Sequence, residues 1–301
     1  MPSVLDTPRG AAELAESLLP QLGHRWLHTQ AVAARAKEAT AAVSEADRDL
    51  LVAAAWLHDI GCAPELRDTG FHPLDGARHL ESLGAPARLV RLIAHHSGAV
   101  YEAEQRGLSE ELAAYEREDS FVLDALTFAD MSAGAAGQSC SFDERIDEIL
   151  VRYEPGSEVH NAISKVRPYL GAAIERTRRR VAAFTSLAPS QRAFIDGSGW
   201  WPPTLFAVEH QDVELLARLL DAGADPDEGN GATPLTHAVD VEGDSALQSG
   251  DPLPVATTAV LLAYGADPDL PDATGETPLQ VAQRYNHAPA IRLLRRHTPR
   301  P

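Results

Sequence analysis

Trp56-Leu57-His58-Asp59-Ile60-Gly61 closes an apolar run, Leu50 to Leu57, with two adjacent side chains that can ligate a metal. Neighbouring residues on a regular helix point about 100° apart. A His-Asp pair can therefore serve one ion only where backbone and rotamers bring both side chains round, as at a helix end. Gly61 fits such an end, because glycine readily takes the left-handed cap conformation. Further candidate ligands are His28, His72, His95, His96 and Asp130. Neutral imidazole and carboxylate together suit borderline ions such as iron, manganese, cobalt or nickel. Two such ions about 3.5 to 4 Å apart can generate hydroxide and clamp phosphate oxygens. Arg25, Arg67 and Arg91 could grip phosphate, and Arg25 lies one helical turn before His28, so both can face one site. No Gly-x-Ser-x-Gly elbow is present. Cys62 is either a soft ligand beside the His-Asp pair or an ordinary small buried residue.

The elements that must position these groups read as helices. Alanine, leucine and arginine are abundant up to about residue 186 and β-branched runs are few. The pattern predicts helices over residues 11–19 and 24–43, then one opened by an N-cap and acidic first turn at Ser44-Glu45-Ala46-Asp47 and reaching His58. A loop follows over residues 62–71. His72 or Asp75 opens a helix through Leu83, and Ala85-Pro86 starts another that runs to His95-His96 and stops at Ser97-Gly98. Residues 101–118 read as a loop with a short helix, 120–131 as an apolar helix, 134–139 as a flexible stretch, and 142–153 and 158–187 as two more helices. Asp75 and His79 read as helix-face residues and Asp124 as solvated. Arg176 to Arg180 reads as a solvated face or a clasp on the acidic body.

The texture changes near Ala188-Pro189, and from Trp200 an internal repeat begins. Leu219-Leu-Asp-Ala-Gly-Ala-Asp-Pro-Asp227 matches Leu261-Leu-Ala-Tyr-Gly-Ala-Asp-Pro-Asp269. Each is followed by Thr-Pro-Leu, at Thr233 and at Thr277, with Ala238 and Ala282 five residues further on. This resembles the ankyrin repeat, and proline at the first helical position has a direct backbone reason. Residues 241–254 read as an insertion, and about three units are expected, the first near Pro203. Such a stack presents a concave face, which implies a protein partner. His210, His237, His287 and His297 belong to this region and read as structural.

The order His … His-Asp … Asp resembles the HD-domain metal-dependent phosphohydrolases over roughly residues 20 to 180. It stands here as His24-Arg-Trp-Leu-His28, Ala54-Ala-Trp-Leu-His58-Asp59-Ile-Gly and Leu126-Thr-Phe-Ala-Asp130-Met. The resemblance implies a helical bundle in which His28, His58, Asp59 and Asp130 hold a first metal. His72-Pro-Leu-Asp-Gly76-Ala77 and Ile93-Ala-His95-His96-Ser-Gly resemble the binuclear branch that includes symmetrical diadenosine tetraphosphate hydrolases. That likeness implies a second divalent ion on His72 and one of His95 or His96, with Asp59 bridging. His95 is slightly preferred by its distance to Gly98.

The expectation is thus an all-α chain of 301 residues, an HD bundle at 1–188 and ankyrin-like repeats at 189–301. The net charge of −18 repels nucleic-acid polymers but permits a small phosphorylated substrate where bound cations reverse the local field. Two cysteines cannot build a disulfide framework. With no secretory signal and no apolar run long enough for a membrane, the chain reads as soluble and cytoplasmic. The leading functional reading is a phosphohydrolase acting on a nucleotide or dinucleoside polyphosphate, with Asp59 and Arg25 in catalytic roles and the repeats recruiting a protein. The alternative is a non-catalytic metal- or nucleotide-binding regulatory module whose repeats carry the function.

Overall fold

A computed structural model describes residues 4–197, 202–229, 231–249 and 252–298. Trp200, and Gly250-Asp251 of the expected insertion, lie outside the described residues. The chain divides into two compact units, Met1–Val181 and Ala182–Pro301. It is all-α as expected: the described residues form helices and no strand, with one isolated antiparallel bridge between Ala133 and Ser139.

The first unit holds α1 (Pro8–Leu18), α2 (His24–Glu38), α3 (Arg48–Leu57), α4 (His72–Ser82), α5 (Ala87–His95), α6 (Ala99–Arg106), α7 (Ser109–Ala113), α8 (Phe121–Met131), α9 (Phe142–Arg152) and most of α10 (Glu158–Ser186). Their starts follow local chemistry. Thr7 Oγ1 accepts from Gly10 N at 3.2 Å, and Ser120 Oγ accepts from Leu123 N at 3.2 Å. Ser141 and Glu144 cap α9 reciprocally. Helices α1 and α2 pack on α3, and α2 and α3 on α8. Val32, Leu51, Leu57 and Leu126 are buried in the resulting core, each leucine contributing about 2 kcal/mol by its removal from water.

Two differences from the sequence pattern have physical causes. The helix expected to reach Val43 stops at Glu38 and tightens into a 3-10 turn, Ala39–Ala42, where the Thr40 hydroxyl donates back to Lys37 O at 2.8 Å. Residues 101–118 read as polar, yet they contain α7 and most of α6. Ala99, Ala103 and Leu112 supply a narrow buried face, and Gly107 ends α6 in the left-handed region at φ 69°.

In the second unit α11 (Pro189–Gly197) precedes three helix pairs: α12 (Pro203–Glu209) with α13 (Val213–Asp221), α14 (Pro234–Ser249) with α15 (Ala256–Ala263), and α16 (Pro278–Arg284) with α17 (Ala288–His297). The first members pack in series, α12 on α14 on α16, and so do the second, α13 on α15 on α17. The repeated residues make repeated contacts. Thr233 and Thr277 each accept, through Oγ1, from the amide three residues on. Asp225 and Asp267 each accept from the amide two residues on at 2.9 Å. One loop is tied to the next where Asp227 Oδ1 accepts from Asp267 N at 2.9 Å. Residues 241–249 of the expected insertion lengthen α14. Glu242 explains why this extension is kept in place. It is buried, and its carboxylate accepts from Thr257 N at 2.9 Å, Thr257 Oγ1 at 2.6 Å, Thr258 N at 3.2 Å and Thr258 Oγ1 at 2.6 Å. It caps α15 from a neighbouring helix.

Candidate metal centre

Five segments of the first unit deliver the candidate ligands. His28 lies in the second turn of α2. His58 caps α3, and the backbone leaves the helix at Asp59 (φ −104°, ψ 6°), which turns the two adjacent side chains toward one place. His72 is the first residue of α4, and Asp130 sits next to the end of α8. His96 follows α5 in extended conformation (ψ 152°), and Ser97 (φ 49°) and Gly98 (φ 72°) then turn the chain back.

Ligand atoms of His28, His58 and Asp130 lie within 4.8 Å of one another, and so do those of Asp59, His72 and His96. Asp59 stands between the groups. Its Oδ2 is 3.2 Å from His58 Nε2 and 3.9 Å from His28 Nε2, while its Oδ1 is 3.2 Å from His72 Nε2.

The imidazole orientations follow from the backbone. His28 Nδ1 faces Gly134 O at 3.2 Å, His58 Nδ1 faces Ala55 O at 2.8 Å, and His96 Nδ1 faces Ile93 O at 2.7 Å. A carbonyl only accepts, so each Nδ1 carries a proton, and each ring in its neutral form presents its Nε2 lone pair inward. Those lone pairs meet other acceptors: His28 Nε2 faces Asp130 Oδ1 at 3.0 Å, and His58 Nε2 faces Asp59 Oδ2. His72 Nε2 lies 3.2 Å from both His96 Nε2 and Asp59 Oδ1, and a single proton there can serve one contact at a time. The His58 Nε2 atom is buried without a hydrogen-bond partner. Acceptors this close repel unless a proton or cation lies between them, and this donor set of imidazole nitrogen and carboxylate oxygen suits a divalent transition ion.

Charges around the cluster act in the same sense. Burial alone would push the His58 imidazolium down, but the Asp59 carboxylate beside it raises its pKa, so a proton can take the place a cation would occupy. Burial would push the carboxyls of Asp59 and Asp130 up. Arg25 with His58 holds the first well below the usual range, and His28, His58 and Arg145 do so for the second. His96, buried and beside His72 and His58, is pushed down to about 3 and so stays neutral. Arg25 Nη1 donates to Asp59 Oδ2 at 2.7 Å, and the Ser97 hydroxyl donates to Asp130 Oδ2.

His95 does not join the cluster. Helix α5 turns it toward Tyr115, whose carbonyl accepts from Nε2 at 2.6 Å, and the break after α5 swings His96 inward instead, against the preference for His95. Arg91 is also elsewhere, paired with Glu116 at 3.0 Å, whereas Arg67 lines the cleft over the cluster. Asp75 is a buried anchor, not a helix-face residue: it accepts from Thr69 N, Thr69 Oγ1 and Gly70 N and fixes the loop before His72. Asp124 is not solvated. It is buried, with Arg176 Nη2 at 2.7 Å and Arg180 Nη1 at 3.0 Å, so the arginine-rich stretch is a clasp. The Cys62 thiol lies 3.9 Å from Asp59 Oδ1, and burial with that carboxylate pushes it up to about 12.

Gly61 does not adopt the left-handed conformation expected of it. It is small because α4 starts against it: a Cβ there would lie 2.1 Å from His72 O and 2.5 Å from Gly76 N. The residue that brings α4 to the cluster thus directly follows Ile60 in the His-Asp segment.

A cleft of about 440 Å³ opens over Asp59, His72, His96 and Asp130, with an apolar side that includes Leu22, Tyr153 and Ile163. A second cavity of about 520 Å³ reaches His28, and Leu22, Arg25, Arg145 and Arg152 border both. Arg145 and Ser97 were missed in the sequence. The Ser141-x-x-Glu144 signature locates the start of α9, but nothing in linear order says that its fourth residue returns to His28.

Residues 9–130 match the family model of the HD domain, a span that holds every candidate ligand and ends at Asp130. No curated protein matches the chain. Among solved structures it is similar to the human ASB11 ankyrin repeat domain, at 16% identity over 81% of this chain and 98% of that chain, with a TM-score of 0.28.

Proposed function

We propose that the first unit is a metal-dependent phosphohydrolase that holds two divalent ions and acts on a nucleotide or dinucleoside polyphosphate. The observation that carries this reading is the set of acceptor-to-acceptor contacts: three imidazoles fixed by backbone carbonyls turn their lone pairs toward one another and toward two carboxylates. The HD-domain match supports it, because that superfamily consists of metal-dependent phosphohydrolases. His28, His58, Asp130 and Asp59 would hold one ion, and Asp59, His72 and His96 the other. The ions, when bound, supply an activated water and withdraw charge from the phosphoryl oxygens.

The chain's own residues do the rest. Asp59 joins the two ligand groups through its separate oxygens, and Arg25 fixes its orientation and neutralises its charge. Ser97 orients Asp130. Arg67 at the cleft brings positive charge to an anionic substrate despite the acidic chain, and the apolar side at Leu22, Tyr153 and Ile163 accepts a base and excludes water. Two cavities that share Arg25, Arg145 and Arg152 in their linings favour a substrate with bulk at each end of its phosphates. The helix pairs of the second unit would recruit a protein partner.

The test is metal analysis of the purified chain followed by phosphate release from a panel of nucleotides and dinucleoside polyphosphates, with His58→Ala and Asp59→Ala as controls. Turnover that both substitutions abolish supports the reading. Bound metal without turnover on any phosphorylated compound would instead favour a regulatory module whose repeats carry the function.

A further inference from the structure

Arg145 lies beyond the span matched by the HD-domain model, and its side chain is only 5% exposed. Its Nη2 is 3.4 Å from His28 Nε2 and 3.7 Å from Asp130 Oδ1. With the His28 Nδ1 proton on Gly134 O, the neutral ring offers Arg145 a lone pair at Nε2. The guanidinium therefore stands beside the acceptor pair that a cation of this group must engage. Its other anchor is Glu148, which accepts from Nη1 at 2.9 Å, from Arg152 Nη2 at 2.7 Å and from Ala135 N at 3.1 Å. The Arg145 Nε–H is buried with no partner, so the present arrangement leaves one donor unused. The side chain borders both cavities.

We infer that Arg145 is a placeholder for the cation at His28 and Asp130, and that when the cation enters, its guanidinium turns to hold a phosphate-class anion in the adjoining cavities. This rests on the metal reading above but goes beyond it. A metal takes the Nε2 lone pair that Arg145 now uses, so the guanidinium must give it up. A buried guanidinium that loses one partner needs an anion, and Glu148 already serves Arg145, Arg152 and Ala135. Metal and phosphate then assist each other through this one side chain.

The experiment is calorimetric titration of Mn²⁺ into the metal-stripped full chain, with and without inorganic phosphate, for wild type, Arg145→Gln, Arg145→Lys and Glu148→Gln. Circular dichroism checks the fold of each. Removing the charge in Arg145→Gln should tighten one Mn²⁺ site by about tenfold, a modest outcome for deleting a unit positive charge that lies against two of the residues that would hold the ion. Arg145→Lys should not tighten it. Glu148→Gln should loosen it by about threefold, the scale of a partly exposed ion pair, because the guanidinium then rests more firmly on His28 and Asp130. Phosphate should tighten Mn²⁺ more in wild type than in Arg145→Gln. Unchanged or weaker Mn²⁺ binding in Arg145→Gln, or weakening in both Arg145→Gln and Glu148→Gln, overturns the inference while two bound Mn²⁺ in wild type leave the hydrolase reading standing. If wild type binds no Mn²⁺ but Arg145→Gln does, the placeholder stands; if neither binds, both readings fall.

Discussion

Replacing Gly61 by alanine separates the two ligand groups. The added Cβ would lie 2.1 Å from His72 O and 2.5 Å from Gly76 N, backbone atoms in the first two turns of α4, so no side-chain rotation relieves it. Ordinary contact begins near 3.4 Å, and the start of α4 must retreat by more than an ångström. His72 goes with it, away from Asp59 Oδ1 and His96 Nε2, each now 3.2 Å off. His28, His58 and Asp130 stand on α2, α3 and α8 and stay where they are. Overpacking of this kind costs about 1–3 kcal/mol, which lowers the melting temperature of a unit this size by roughly 3–10 °C. Elemental analysis should find the metal content falling from two ions per chain to one. Gly76→Ala is the control: its Cβ would meet Gly61 N at 3.2 Å and two isoleucine side-chain atoms at 3.4 Å, so it should keep both ions with a smaller loss of stability. Two ions bound with unchanged affinity in Gly61→Ala, or loss of the ion at His28 and Asp130 instead, would refute the assignment of His72 to a separable group.

Asp124→Ala removes the carboxylate that Arg176 and the buried Arg180 share, and should destabilise the first unit by about 3 kcal/mol in urea titration while metal content holds. The Cys62 thiol, pushed up to about 12, should be alkylated in metal-stripped protein with about a thousandfold less thiolate at pH 8 than a free cysteine, its rate climbing only as pH approaches that value; mass spectrometry reads this directly, and fast labelling at pH 8 would contradict it. Glu242→Ala should leave buried donors of Thr257 and Thr258 unmatched, costing about 3 kcal/mol and speeding amide exchange across α15, whereas Glu242→Gln, which keeps an acceptor oxygen, should do less.

Linear order made some of this visible and hid the rest for identifiable reasons. Helix existence was legible because caps and breakers are local: Thr7, Ser120 and Ser141 act on amides within three residues. The side chains facing the cluster were legible where a residue type is rare and chemically committed, as at His28, His58-Asp59 and Asp130. The choice between His95 and His96 was not, because it depends on where α5 breaks, and Ser97 at φ 49° gives no sign of that in its identity. Asp75 read as a helix-face residue and Asp124 as solvated because their partners, two loop amides with a hydroxyl and two guanidinia, are brought to them by folding. Arg145 is the largest omission. An arginine on a helix that also carries Asp143, Glu144, Asp147 and Glu148 reads as one more surface charge until folding brings α9 against His28.

The charge balance of the cluster ties these pieces together. Its two carboxylates each already have a guanidinium nearby, Arg25 at 2.7 Å from Asp59 and Arg145 at 3.7 Å from Asp130. With the imidazoles neutral, the protein part of the site carries almost no net charge. Two divalent ions would then leave a large positive surplus in a place where the carboxylates are nearly inaccessible to water, and such a surplus is strongly disfavoured unless an anion enters with it. A monoanionic phosphodiester offsets less of that surplus than a dianionic terminal phosphate or a polyphosphate. The same arithmetic predicts that metal affinity measured in phosphate-free buffer falls well short of that measured with phosphate present. It also predicts that inorganic phosphate stays with the metal-loaded chain through desalting and is lost when the ions are chelated. Phosphate retained equally with and without metal would mean that the arginines alone hold it, and the coupling argued from Arg25 and Arg145 would have to be given up.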